Sequence, residues 1–172
     1  RRSLVPDEPT ETVLVPDDER FRSVLGHFAT GVTIITAVDD DEPVGMAANS
    51  FTSLSLDPPL ILFCVAHSSS TWPRIERAGT FAVNILGEGH EELSQLFARR
   101  GADRFGSTPW HIGVSGAPVL EDAIAYLDCR FEAEYPGGDH KIIVGRVLDL
   151  DMREGSRPLL FFRGGYERMH DG

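Results

Sequence analysis

The chain has 172 residues, 41% hydrophobic and 25% charged, which suits one domain with a substantial core. Its 27 Asp and Glu outnumber 16 Lys and Arg, a formal net charge of −11, which argues against a nucleic-acid partner, whose phosphates call for basic residues. The longest apolar run, residues 60–66, falls far short of the roughly 20 residues needed to span a bilayer, so no membrane partner is expected.

Residues 1–18 read as an acidic N-terminal extension. Asp7, Glu8 and Glu11 follow Arg1 and Arg2 directly, leaving no apolar core for a targeting signal. Residues 19–170 then read as a single domain. Pro16-Asp-Asp-Glu19, followed by Phe21, Val24, Leu25 and Phe28 at helical spacing, predicts a first helix ended by Gly31. Residues 32–38 are apolar and β-branched, a strand, and residues 39–43 form a turn from which 44–50 pairs back. Pro58-Pro59 introduces a third strand over 60–66.

Residues 70–78 predict a short helix, with Ser70 or Thr71 as its cap and Pro73 in its first turn. A strand over 81–86 and a helix over 88–100 follow, the latter with Leu93, Leu96 and Phe97 on one face. The last third is β. Strands 125–135 and 141–152 flank the turn Pro136-Gly-Gly-Asp-His140, and 158–163 is a further strand before Gly164-Gly165. Many strands and few helices point to a mainly β, closed or partly closed barrel. Cys64 and Cys129 lie in apolar strands without a Cys-x-x-Cys pattern, which reads as two reduced core thiols in a cytoplasmic protein.

The residues that carry chemistry are few. Gly45, Ala47 and Ala48 let a ligand approach the backbone closely, and Asn49, Ser50, Thr52, Ser53 and Ser55 add neutral donors and acceptors. That pattern suits a large, flat, polar-edged ligand. Ser68-Ser-Ser-Thr71 opens the short helix, either as a plain cap or as an anion site. His140 leaves a glycine turn, where an imidazole is either solvated or stacked against a ring. Phe105 has the reach to cover a ligand ring and Arg104 to meet an acidic group, though a plain helix-exit loop explains both equally. The histidines show no metal-ligand spacing, and no nucleophile elbow or phosphate loop occurs.

In chain order these segments resemble the short-chain flavin reductases, the reductase components of two-component flavin-dependent monooxygenases. The matching motifs are Phe21-Arg-x-x-Leu25, Ala29-Thr-Gly-Val-Thr33, the run from Gly45-Met46 to Pro58-Pro59, Ser69-x-Thr-Trp72, Phe81-Ala-Val-Asn-Ile-Leu86 and Leu93-Ser-x-x-Phe97. Gly137-Gly-Asp-His140, Gly145-x-Val147 and Pro158-Leu-Leu-Phe-Phe-Arg-Gly164 complete the series. The resemblance implies an FMN-binding split β-barrel, a homodimer with flavin at its interface, and hydride transfer from NADH or NADPH to FMN or FAD. The reduced flavin passes to a separate monooxygenase.

Carried over by position, Gly45, Met46, Ala47, Ala48, Asn49, Ser50 and Ser53 line the isoalloxazine and ribityl chain. Cys64, Val65 and Ala66 run past the ring, Ser70 and Thr71 hold phosphate, Phe97 and Phe105 are further cofactor contacts, and His140 meets the nicotinamide nucleotide. Two positions depart from the family pattern. Ser70 stands where Arg or Lys is common, which shifts phosphate binding onto the helix terminus, and Ala47 replaces a common Thr. The alternatives on the same architecture are a non-catalytic flavin carrier or redox sensor, and a pyridoxamine-phosphate type of oxidase. The latter calls for a basic cluster that this acidic chain lacks.

Overall fold

The computed structural model describes residues 17–170; the acidic extension up to residue 16 lies outside the described residues. In chain order the elements are α1 (Asp18–Leu25), β1 (Thr30–Gly31), β2 (Thr33–Asp39), β3 (Glu42–Ala48), β4 (Thr52–Leu56), β5 (Pro59–Ala66) and α2 (Trp72–Ala78). Next come β6 (Thr80–Ile85), α3 (Glu91–Ala98), β7 (Trp110–Ile112), β8 (Pro118–Leu120), β9 (Ala125–Gly137) and β10 (His140–Met152). β11 (Leu160–Phe162) and β12 (Gly165–Glu167) close the chain. The protein is thus mainly β with three described helices, as expected.

Seven strands form one antiparallel sheet in the order β3-β2-β6-β9-β10-β5-β4. It curls around an apolar interior that includes Ile35, Phe63, Phe81 and Ile143, all fully buried. Its edges, β3 and β4, are consecutive in the chain, yet no ladder joins them among the described residues. The barrel is therefore split, and residues 49–51 cross the gap.

Local chemistry explains the hairpins. Asp40 and Asp41 both take positive φ (50° and 64°), which suits a two-residue turn whose twist matches its strands, and Asp39 faces Glu42 across it. At the other hairpin Gly138 takes φ 74°, and His140 pairs with Gly137.

Asp39, almost buried, accepts from Arg74 Nε at 2.8 Å and from Arg77 at 2.7 Å. Hydrogen bonds from these two guanidiniums hold its carboxyl below the usual carboxylate range. The pair of bonds pins α2 to the hairpin tip and so positions the loop before α2.

Close packing is sharpest at Gly145, opposite a bulge in β9. A Cβ there would lie 2.6 Å from Phe81 Cζ and 3.1 Å from Ile61 Cδ1. Phe81 is fully buried and has no room to retreat. Gly145→Ala is expected to cost about 1–3 kcal/mol, the ordinary range for overpacking, read as a lower urea midpoint at unchanged slope.

Several expectations need correction. The first helix ends at Gly26, whose N–H donates to the Arg22 carbonyl while the His27 N–H donates to that of Val24, not at Gly31; Thr30 and Gly31 instead pair with Phe161 and Leu160. The serine-rich stretch between residues 50 and 58, to which no element was assigned, contains β4, whose Thr52 faces Leu62. The short hairpin of β7 and β8 and the final strand β12 also escaped the sequence reading, because strands of three residues show too little periodicity. At α2 the cap position is Thr71, with no side-chain bond; Ser69 Oγ accepts the Trp72 N–H instead, at 3.2 Å.

Candidate functional site

The split in the barrel opens into a cavity of about 380 Å³, within the range of about 300–1,000 Å³ typical of small-molecule sites. Met46, Ala47, Ala48, Asn49 and Ser50 form one wall. The end of β5 forms the other, with Cys64, Val65 and Ala66. Ser50 ties the two walls together: its Oγ accepts the Cys64 N–H at 2.9 Å and donates to the Cys64 carbonyl at 3.1 Å. The β4 ladder stops at Thr52 opposite Leu62, so the Ser50 hydroxyl takes the place of the missing strand for Cys64. Both cysteines are free thiols.

One end of the cavity is hydroxyl-rich and cationic, lined by Ser68, Ser69, Ser70 and Thr71 together with Arg100 and Arg104. Arg104 donates to the Gly45 carbonyl at 2.8 Å, to Thr71 Oγ1 at 3.3 Å and to the Arg99 carbonyl at 2.7 Å. All three partners are neutral oxygens. Its Nε is buried with no partner, and burial pushes its pKa below the ordinary guanidinium value, though an arginine stays charged. An anion at this end would compensate a charge that no described carboxylate neutralises. Arg100 and Arg104 thus place at this end the positive charge that Ser70 does not bring. Sequence reasoning gave Arg104 the reach to meet an acidic group but placed neither arginine at this cavity. They flank Gly101 in the loop after α3, and nothing local signals their approach to Thr71 and Gly45.

His140 stands on the rim. Its Nδ1 lies 2.7 Å from Asp139 Oδ1, and this bond holds the Asp139 carboxyl below its usual range. With Nδ1 engaged, Nε2 is the nitrogen left for a ligand. A second cavity, of about 820 Å³, adjoins at this rim, sharing Asn49, Ser50 and His140 with the first. Its remaining walls include Phe21, Arg22 and Leu25 of α1 and Phe161 and Arg163 near the last hairpin.

Most of the anticipated residues therefore converge on one cavity: Met46 through Ser50, Cys64 through Ala66, Ser70, Thr71, Phe97 and His140. Three do not line it. Gly45 is buried, and a Cβ there would come 2.8 Å from Phe97 Cε1 and 3.0 Å from the Ile35 carbonyl. Its small size makes room for Phe97, and it lines a neighbouring cleft instead. Ser53 sits within β4 opposite Ile61, beyond the loop that crosses the gap. Phe105 packs edge-on against Phe97 at 5.2 Å and lines a neighbouring cleft. Among the described residues no group of His, Cys, Asp or Glu is arranged to hold a metal ion.

Comparison with known proteins agrees with this architecture. The profile of the flavin reductase like domain matches residues 25–170. The reductase subunit HsaB of a flavin-dependent monooxygenase from Rhodococcus jostii (strain RHA1) is 47% identical over 150 residues, covering 87% of this chain and 77% of that protein. The FMN reductase (NADH) SmoA of Agrobacterium fabrum (strain C58 / ATCC 33970) is 44% identical over 163 residues, covering 93% and 92%. Among solved structures, the NADH:FAD oxidoreductase SgcE6 of Streptomyces globisporus C-1027, in complex with NAD and FAD fragments, superposes with a TM-score of 0.84. It is 41% identical, with 90% of this chain and 93% of that chain covered.

Proposed function

The chain belongs to the flavin reductase like domain family, and from that premise we propose that it passes hydride from NADH or NADPH to FMN or FAD and delivers the reduced flavin to a partner monooxygenase. The observation that carries this reading is the shared rim: Asn49, Ser50 and His140 line both cavities, so a ligand in each meets the other there. The first cavity fits a flavin. Small side chains and backbone line its walls, and its far end offers hydroxyls, two guanidiniums and the unpartnered Arg104 Nε toward a phosphate.

When bound, the flavin supplies a ring that accepts hydride from a stacked nicotinamide. The protein supplies position. Residues 46–50 and 64–66 hold a slot whose geometry Ser50 fixes through its two bonds to Cys64. No Asp or Glu lines the first cavity, so neither a phosphate nor added electron density meets a like charge. His140, oriented by Asp139, presents Nε2 to the nicotinamide nucleotide in the second cavity.

His140→Ala is expected to raise the KM for the nicotinamide nucleotide about three- to tenfold, the worth of one hydrogen bond, with flavin affinity nearly unchanged. An unaltered KM removes His140 from the site.

No described helix is long and apolar enough to cross a membrane. We place the protein in the cytoplasm, where its two free thiols suit a reducing environment. A homodimer fits the apolar side chains it leaves exposed, Phe21, Val24 and Leu25 on α1 and Leu56 on β4.

The test of the function is oxidation of NADH and NADPH, followed by absorbance, with FMN, FAD or no flavin added. Rapid oxidation that depends on added flavin is the expected result. Flavin retained with no turnover overturns it in favour of a carrier or sensor.

A further inference from the structure

Arg104 is held at the phosphate end of the first cavity by two oxygens that belong to different elements. Its Nη1 donates to the Gly45 carbonyl at 2.8 Å and to Thr71 Oγ1 at 3.3 Å. Gly45 lies on the hairpin of β2 and β3, whereas Thr71 caps α2. One amino group reaches both only while α2 keeps its place on that hairpin. We propose that Asp39, which lines neither cavity, is a positioning residue for the flavin phosphate, acting through Arg74 and Thr71 on Arg104. The proposal rests on the flavin reading of the first cavity.

Asp39 stands at the tip of the same hairpin, opposite Glu42, with its side chain only 6% exposed. Its Oδ2 accepts from Arg74 Nε at 2.8 Å and from Arg77 Nη2 at 2.7 Å, and its Oδ1 accepts from Arg77 Nε at 3.2 Å. Both arginines belong to α2. Arg74 is the link to the cavity: it lies in the first turn, and its backbone N–H donates to the Thr71 carbonyl at 3.1 Å. Arg77 sits in the last turn, farther from Thr71. The path from Asp39 through Arg74, Thr71 and Arg104 thus returns to Gly45, on the hairpin where it began.

What this path supplies is preorganisation. Arg104 has a long side chain whose rotamers cost entropy to fix, and its Nε is buried without a partner. Held by Gly45 and Thr71, the guanidinium is already in place when a phosphate arrives. Freed from Thr71, it has to be ordered as the phosphate binds, and affinity falls. The ring end of the cavity is fixed separately. Ser50 bonds the Cys64 N–H and carbonyl, and neither residue lies on α2 or at the hairpin tip. Asp39 therefore acts on the phosphate and not on the flavin ring.

Dissociation constants for oxidised FMN and for riboflavin, which has no phosphate, are measured by flavin fluorescence on the full chain, without nicotinamide. Asp39→Asn leaves one acceptor oxygen and sets an amide N–H toward a guanidinium. It is expected to weaken FMN about three- to tenfold, the worth of one hydrogen bond, and riboflavin less than about twofold. Arg74→Met cuts the same path from the α2 side and is expected to give the same result should Asp39→Asn fail to fold. Arg77→Met removes both Arg77 bonds to Asp39 but leaves the path intact, so it is expected to lower the urea midpoint without altering the ratio of FMN to riboflavin affinity. Combined with Arg104→Met, Asp39→Asn is expected to add no further loss of FMN affinity, because both act on one contact. Equal weakening of FMN and riboflavin by Asp39→Asn overturns the proposal and makes Asp39 a brace of the fold. Unchanged FMN affinity overturns it too, as do losses that add in the double variant or a ratio lowered as much by Arg77→Met. Failure of the unaltered protein to bind either flavin overturns the flavin reading itself, a distinct result.

Discussion

Replacing Asn49 and Ser50 together with leucine is expected to abolish flavin binding while the barrel remains folded. Both residues lie on the segment that crosses the split between β3 and β4, and both line the two cavities. The Ser50 hydroxyl serves the Cys64 N–H and carbonyl at once. Its loss leaves one β5 peptide without its lateral partners, at a cost of about 1–3 kcal/mol, a fraction of a domain's usual stability of about 5–15 kcal/mol. Two leucines also place bulk in a slot that small residues keep open. The core side chains Phe63, Phe81 and Ile143 lie elsewhere, so cooperative unfolding in urea should persist at a lowered midpoint. Fluorescence titration with FMN and FAD reads the binding, and survival of flavin affinity removes the crossing segment from the site.

The second large effect is expected at Arg104. Arg104→Met keeps most of the side-chain length and removes the guanidinium. A charge-assisted hydrogen bond contributes about 1.5–3 kcal/mol, so FMN and FAD affinity should fall roughly 10- to 100-fold. The same residue also ties Gly45, Thr71 and Arg99 together, and a purely structural role would predict the same loss. Riboflavin separates the two accounts because it has no phosphate. Its affinity should change much less than that of FMN. Equal losses for riboflavin and FMN would make Arg104 a brace and not a phosphate ligand.

The parts of the site that lie along single stretches of chain were legible in the sequence. The small residues of 45–50, the hydroxyls of 68–71 and the turn ahead of His140 each carry their chemistry in local composition. The hairpins were legible for the same reason, since Asp40-Asp41 and Gly138 meet a requirement for positive φ that acts within a few residues. Gly45 shows what composition leaves out. A glycine in such a segment suggests close approach of a ligand, and the structure adds that Phe97, on α3, packs against it. Gly31 misleads: it reads as a helix stop, while the helix ends at Gly26 and Gly31 pairs with Leu160.

By itself the sequence determined a mainly β domain, its two sharp hairpins, its reductase-like motifs and the polar character of its ligand segment, because turn geometry, alternation and side-chain chemistry act between neighbours. Tertiary structure alone decided that β3 and β4 are the unpaired edges of the sheet, that the ends of β3 and β5 wall one cavity, and that Arg104 reaches the Gly45 carbonyl across 59 residues of chain. The physical reason is that such contacts follow from which strands pair and in what register. Pairing is settled by burying one core as a whole, and no short window of residues contains that information.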